Sequence, residues 1–190
     1  MITGEYAVIR SAEPDDAPAL WQLYDPSRPR SFLLGPQREI MIPTADELRE
    51  MLGRRDLVQG TFFAVENKQG LVCGCCVLRG AKFESEYAEM VVAFGEDNEY
   101  VTPLAEEVFQ FLLHMAFIEK KLNKLQAHCL CTETAYRDFL IARGFESDGV
   151  QRDMVYTRGR YFDLESFTLF HAAGLTRLRN REVEDAASTA

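Results

Sequence analysis

Glu89 carries the clearest chemistry in the sequence. It sits within Tyr87 to Phe94, where nearly every neighbour is apolar. A carboxylate in such surroundings is partly desolvated, which raises its pKa toward that of a useful general base. The competing reading is a carboxylate at a strand edge bonded to a neighbour. His128 alternates with Ala127 and Cys129 and so faces the same side as Gln126 and Leu130. It could be a base across a cleft or a satisfied buried histidine. His114 and His171 have no evident nucleophile beside them, so a Ser–His or Cys–His mechanism finds no support. The five cysteines fall as Cys73, Cys75 and Cys76, then Cys129 and Cys131. They could be metal ligands, but neither group has the two-residue spacing of zinc knuckles. Both groups lie in apolar, strand-like stretches, which favours buried thiols acting as small hydrophobes.

Composition limits what such residues could serve. At 190 residues the chain suits one domain with a full core. The net charge is −9, from 21 Lys plus Arg against 30 Asp plus Glu. That surface repels phosphate backbones and argues against a nucleic-acid partner. It weakly favours a cationic acceptor such as an amine, although solubility alone accounts for it. No run of about 18 apolar residues exists, so no membrane partner is expected. Met1 to Arg10 shows no basic flank followed by an apolar region, and the odd cysteine count suits reduced thiols, so a cytoplasmic location is expected.

The elements that must position these residues follow from pattern. Tyr6 to Arg10 reads as a strand, and Asp15 and Asp16 open a helix whose stripe is Ala17, Leu20, Trp21 and Tyr24. Residues 27–43, broken by Pro29, Gly35, Pro36 and Pro43, read as a long loop of the kind that serves a site. Thr44 with Glu47 predicts a capping box and a short helix to Leu52. Thr61 to Glu66 and Leu71 to Arg79 read as a hairpin, and Tyr87 to Phe94 as a central strand buried on both faces. Thr102 caps a helix with Pro103 at its first position, running to about Lys120. Leu125 to Cys131 is a strand, and Thr132 to Arg143 a helix stopped by Gly144. Gln151 to Thr157 and Tyr161 to Phe170 form a closing hairpin turning at Arg158-Gly159. Strand, helix, strand over residues 87–131 requires a parallel pair, with a ligand entering at its carboxyl end. Residues 1–170 are expected to form the domain, and 171–190 a tail with at least its last ten residues disordered.

This order, with its motifs, resembles the GNAT N-acetyltransferase family. Val8-Ile9-Arg10-Ser11-Ala12 with Asp15, Asp16 and Leu20 looks like the family's opening strand and helix. Ala88-Glu89-Met90-Val91-Val92 is similar to its fourth strand. Leu122 to Phe145, ending in Gly144-Phe145, looks like its fifth strand and fourth helix. Gly149, Arg152, Gly159 and Asp163 resemble the closing hairpin of the ribosomal-protein-acetylating branch. The resemblance implies an α/β (α+β) fold: a mixed, mostly antiparallel sheet of six to seven strands with a central parallel pair, flanked by about four helices. It implies acetyl-CoA as co-substrate, an amine of a small molecule or protein as acceptor, and a closing hairpin that could pair across a homodimer.

The resemblance also assigns residues. Glu89, matching a glutamate of the histone-acetylating branch, would take the proton of the attacking amine. The backbone of Val92, Ala93 and Phe94 would hold the pantetheine arm. The segment Tyr100-Val101-Thr102-Pro103-Leu104-Ala105 would face the CoA pyrophosphate, as the family's glycine-rich loop does. Here only Ala105 keeps the family's pattern, and Pro103 removes one donor. Glu96, Asp97 and Glu99 crowd the same loop; a carboxylate within about 4 Å of phosphate costs on the order of 1 to 4 kcal/mol, unless it turns to water and is screened. Glu133 stands where the family usually has Asn, and Leu140 where it has the tyrosine acid. Tyr136, one turn before Leu140 and on the same face, could replace that acid or pack as an ordinary helix aromatic. Arg28, Arg30 and Arg38 mark the loop that closes over the acceptor; they could meet an acidic acceptor or a CoA phosphate, or lie solvated. Two functions follow: an acetyl-CoA-dependent N-acetyltransferase, or a non-catalytic module of the same fold with a decayed CoA site.

Overall fold

The computed structural model describes residues 1–35, 38–54, 61–82 and 86–188. Its strands are β1 (Ile2–Thr3), β2 (Val8–Ser11), β3 (Thr61–Glu66), β4 (Val72–Lys82), β5 (Tyr87–Phe94), β6 (Lys124–Leu130), β7 (Glu146–Thr157) and β8 (Arg160–Phe170). The helices are α1 (Ala17–Trp21), α2 (Ala45–Arg54), α3 (Pro103–Leu113, extended by a π-helical turn, His114–Glu119), α4 (Thr134–Ala142) and α5 (His171–Ser188). One sheet runs in the order β1-β2-β3-β4-β5-β6-β8-β7. Each neighbouring pair is antiparallel except β5 and β6, the pair joined through α3.

Local chemistry explains most element ends. Thr44 and Glu47 exchange cap bonds, Glu47 N–H donating to Thr44 Oγ1 at 3.2 Å and Thr44 N–H to Glu47 Oε2 at 2.7 Å. Thr102 Oγ1 accepts from the Ala105 amide, and Pro103 holds the first helical position. Gly144 ends α4 at φ +82°, a conformation other residues adopt only with strain. Arg158 and Gly159 turn the closing hairpin with φ +54° and +78°. At the N-terminus the Glu107 carboxylate on α3 accepts the amides of Glu5, Tyr6 and Ala7.

β5 divides the core. Ala88, Met90, Val92 and Phe94 pack with α3 and α4, while Val91 and Ala93 pack under α1, α2 and the loop between them. Burial on both sides is why the strand reads as a continuous apolar run.

The sheet has eight strands rather than six to seven, and five helices rather than four. The additional strand, β1, contributes two residues paired with Val8 and Ile9, too short for any alternation to be read. The additional helix replaces the expected tail: α5 begins at His171 and places Leu175 and Leu178 against the α3 side of the core. Its polar composition hid a stripe of only a few apolar residues. Thr189 and Ala190, part of the segment expected to be disordered, lie outside the described residues.

Gly174 is where α5 meets the core most closely: a Cβ there would lie 2.2 Å from the Phe117 ring, which is itself buried. Gly174→Val should cost about 1 to 3 kcal/mol by overpacking. Urea unfolding checks this; no loss of stability would mean that α5 does not dock as described.

Candidate functional site

β5 and β6 separate partway along. They pair at Tyr87↔Lys124, Ala88↔Leu125 and Glu89↔Gln126, and no pairing follows, although β5 continues to Phe94 and β6 to Leu130. The opening leaves edge amides and carbonyls of β5 without a strand partner. Buried backbone groups need partners, so something else must supply them.

Side chains supply some of them, and a third side chain braces the backbone just past the strand. Tyr100, 4% exposed, donates its hydroxyl to the Val92 carbonyl at 3.2 Å. Arg30 donates to the Phe94 carbonyl at 2.5 Å and to the Gly95 carbonyl at 3.3 Å. Arg28 donates to the Gly95 carbonyl at 3.1 Å and to Asp97 at 2.8 Å. A cavity of about 210 Å³ remains beside them, lined by these three residues together with Glu133, Tyr136 and Arg160 among others. That is below the roughly 300 to 1,000 Å³ common for small-molecule sites. The strands are open, but the chain's own groups fill part of the opening.

Tyr136, from α4, is a wall residue whose chemistry is unspent. It is 4% exposed, and its hydroxyl has no hydrogen-bond partner among the described residues. Burial, reinforced by Tyr100 and the carboxylates of Glu133 and Glu89, pushes the phenol well above its ordinary range. It therefore keeps its proton and presents a donor with no acceptor. Leu140, one turn on, is fully buried in the core.

Glu133 ties two elements together. One of its oxygens accepts the Ser31 amide at 2.8 Å and the Leu130 amide at 2.7 Å, joining the 27–43 loop to the end of β6. Burial raises its pKa; the two amides and the nearby Arg30 offset that only in part.

On the α1–α2 face, register aligns a polar row across the sheet: Arg79↔Glu89, Glu89↔Gln126, Gln126↔Thr168. Arg79 is spent on the loop, donating to the carbonyls of Phe32 and Leu34. Glu89 has no hydrogen-bond partner among the described residues, yet its charge reaches both His128 and Tyr136. His128 is a satisfied histidine. Arg38 can only donate, so Nε2 accepts from its Nη2 at 3.1 Å and the Nδ1 proton goes to Ser166 Oγ at 3.0 Å. Burial and Arg38 push its pKa down, against Glu89 and Asp148. Beside it lies a second cavity of about 380 Å³, lined by Gln126, His128, Asp148, Gln151 and Ser166 among others.

The start of α3 is self-capped. The Glu99, Thr102 and Glu106 amides donate to backbone carbonyls, and Ala105 donates to Thr102 Oγ1. Val101 is 84% exposed, Pro103 is exposed, Leu104 is half-buried and Ala105 is buried. The loop's acids are engaged as well, Asp97 with Arg28 and Glu99 with the Glu96 amide. The solvated reading of the loop arginines does not hold for Arg30, which is 7% exposed and bonded to β5. Cys75, Cys76 and Cys129 are buried, with burial pushing the Cys75 thiol up to about 12, whereas Cys131 is exposed.

Because Glu133 binds its proton more tightly when folded, its contribution favours folding fully below the ordinary glutamate pKa and is lost as pH rises through the raised value. Glu133→Gln keeps an oxygen for both amides and removes the buried charge. Its stability relative to the parent should therefore be greater at about pH 7 than at about pH 4, read from urea midpoints. A constant difference would rule out a buried ionisation at this residue.

A model of the family described as an acetyltransferase (GNAT) domain matches residues 9–165. No curated protein matches the sequence. Among solved structures, the chain is similar to the spermidine N-acetyltransferase from Vibrio cholerae in complex with CoA and spermine. That match has 18% identity and a TM-score of 0.75, covering 90% of this chain and 99% of that one. It is also similar to the spermidine/spermine N-acetyltransferase from Vibrio cholerae in complex with manganese ions, at 19% identity and a TM-score of 0.71, covering 90% and 96%. At such identities the likeness concerns the fold. The family match covers most of the chain, and with the parted parallel strands it leads to one conclusion: the protein belongs to the GNAT acetyltransferase family.

Proposed function

We propose that the protein is an acetyl-CoA-dependent N-acetyltransferase acting on a primary amine of a small molecule. The observation that carries this reading is the opening between β5 and β6, with an unpartnered, buried Tyr136 hydroxyl on its wall. Acetyl-CoA would lay its arm along β5, near Val92, Ala93 and Phe94, with its phosphates toward the start of α3. Glu89 lies on the α1–α2 face at the point where pairing stops, and it takes a proton from the ammonium of the acceptor. The amine nitrogen then forms its bond to the acetyl carbon, the carbon–sulfur bond breaks as the Tyr136 hydroxyl donates to the departing sulfur, and the second proton lost by that nitrogen returns to the Tyr136 oxygen. His128, held neutral with its lone pair on Arg38, stays out of this path.

The acceptor is cationic. The −9 net charge, the Asp148 carboxylate lining the second cavity and Glu89 across the strands from Gln126 favour an amine over an acidic group. The polyamine in the Vibrio cholerae structure makes spermidine and spermine the first acceptors to try. The closing hairpin, with Gly149 and Gly159 at positive φ and Asp163 accepting the Asp153 amide, supports a place near the ribosomal-protein-acetylating branch. We place the protein in the cytoplasm, without a nucleic-acid or membrane partner: the charge repels phosphate, and among the described residues no helix is long and apolar enough to cross a membrane. Edge strand β7 leaves room for a homodimer. A second reading, a non-catalytic binding module, is favoured by Tyr100 and Arg30 already holding the β5 edge.

Calorimetry with acetyl-CoA separates the two: the transferase reading expects saturable binding, and no heat up to millimolar ligand leaves only the module. With spermidine as acceptor, Glu89→Gln should lower kcat by about 10² to 10⁴, and an unchanged rate would remove Glu89 from the reaction. Tyr136→Phe should reduce turnover without reducing stability, because the hydroxyl it removes is unsatisfied and costs about 1 to 3 kcal/mol where it lies. A fall in unfolding free energy would instead give that hydroxyl a structural bond.

A further inference from the structure

The family's glycine-rich loop grips a diphosphate through backbone amides, and this chain has little left there to grip with. Pro103 has no amide proton, the Thr102, Ala105 and Glu106 amides are bonded within the turn, which leaves the Leu104 amide, and Glu96, Asp97 and Glu99 are the charges on that loop. Yet the cavity at the same end of β5 is lined by three guanidiniums from two other elements. Arg28 and Arg30 come from the loop after α1, and Arg160 from the first position of β8. The tip of the β7–β8 hairpin is fastened to that loop, Arg158 donating to the Ser27 carbonyl, so the two sources are held together.

Building on the transferase reading, we infer that Arg28, Arg30 and Arg160 hold the diphosphate of the acyl carrier in place of the missing backbone donors. Guanidinium forks suit phosphate oxygens, and charge-assisted bonds replace neutral amide ones without needing a glycine cradle. Among the described residues Arg160 lies over the Phe162 ring and forms no ion pair. Arg28 is shared between a neutral carbonyl and Asp97, which is itself largely exposed. Arg30 spends its fork on two neutral carbonyls, with Asp97 only at 3.7 Å. Asp97 and Glu133 oppose three cations here, so the site keeps net positive charge within a chain of net charge −9. When phosphate takes the guanidiniums, the Phe94 and Gly95 carbonyls are released, and an incoming pantetheine arm can use them. Specificity would then follow the phosphates rather than the acyl group.

The test is calorimetry with three probes: CoA, adenosine 5′-diphosphate and phosphate-free pantetheine. The variants are Arg28→Ala combined with Arg160→Ala, both away from the core, and Arg30→Lys, which keeps a charge under the β5 carbonyls but loses the fork. The double variant should weaken CoA and the diphosphate by about tenfold for each arginine. Pantetheine should be unaffected, and the wild-type affinity for CoA should fall with salt more steeply than the variant's. Arg30→Lys should also weaken CoA and spare pantetheine. CoA affinity within twofold of wild type in the double variant overturns the inference, as does tighter CoA binding in Arg30→Lys, which would make Arg30 a plug. If wild type binds the diphosphate but not CoA, the arginine site stands and the transferase reading falls. If wild type binds neither, both fall.

Discussion

Everything at this site depends on the unpaired edge of β5. A parallel pair that stops at Glu89↔Gln126 leaves carbonyls and amides facing a buried opening, and such groups cannot stay orphaned. In this structure Tyr100 and Arg30 satisfy the Val92 and Phe94 carbonyls. Any arm inserted along β5 therefore exchanges one set of hydrogen bonds for another. This is a physical reason for a cluster of guanidiniums to lie at the carboxyl end of the strand.

The two faces of β5 set up different electrostatics from one strand. Toward α3 and α4 the opening is aromatic, with Tyr100 packed against Phe94, Tyr136 and Phe139. That dry wall is what raises the Tyr136 phenol and keeps its proton on. Toward α1 and α2 the row Arg79, Glu89, Gln126 and Thr168 is polar, and the loop carbonyls engage the arginine. Among the described residues the Glu89 carboxylate is thus left without a hydrogen-bond partner and can meet a cation. A proton acceptor on one face and a proton-bearing hydroxyl on the other, with the opening between them, is an arrangement suited to moving a proton across a bond exchange.

Much of this was legible where the signal was local. The Thr44–Glu47 box, Thr102-Pro103, Gly144 and Arg158-Gly159 each act within a few residues, and each element ends where its local chemistry dictates. The parallel pair followed from the crossover length alone. β1 and α5 were missed because two residues carry no period and because α5 docks through few apolar groups and one glycine. At the site, Glu89 and Tyr136 were legible as candidates from the motif positions they match or neighbour. The roles of Tyr100 and Arg30 were not. Arg30 bonds a carbonyl 64 positions away, and neither residue type announces that it will stand in for a strand. The polar row likewise exists only once the register of four strands is fixed.

Glu133 explains why these parts act together rather than separately. Its carboxylate grips the Ser31 amide, next to Arg30, and the Leu130 amide, at the end of β6. The loop that carries two of the cavity's arginines is therefore fastened to the strand that forms the far wall of the opening. Arg158 fastens the same loop to the hairpin that carries the third. Widening the opening by moving β6 pulls on the loop, and moving the loop withdraws Arg30 from β5. A buried carboxylate is a costly tether, since burial opposes its charge. A tether of that kind fixes the separation of two strands relative to the position of three cations.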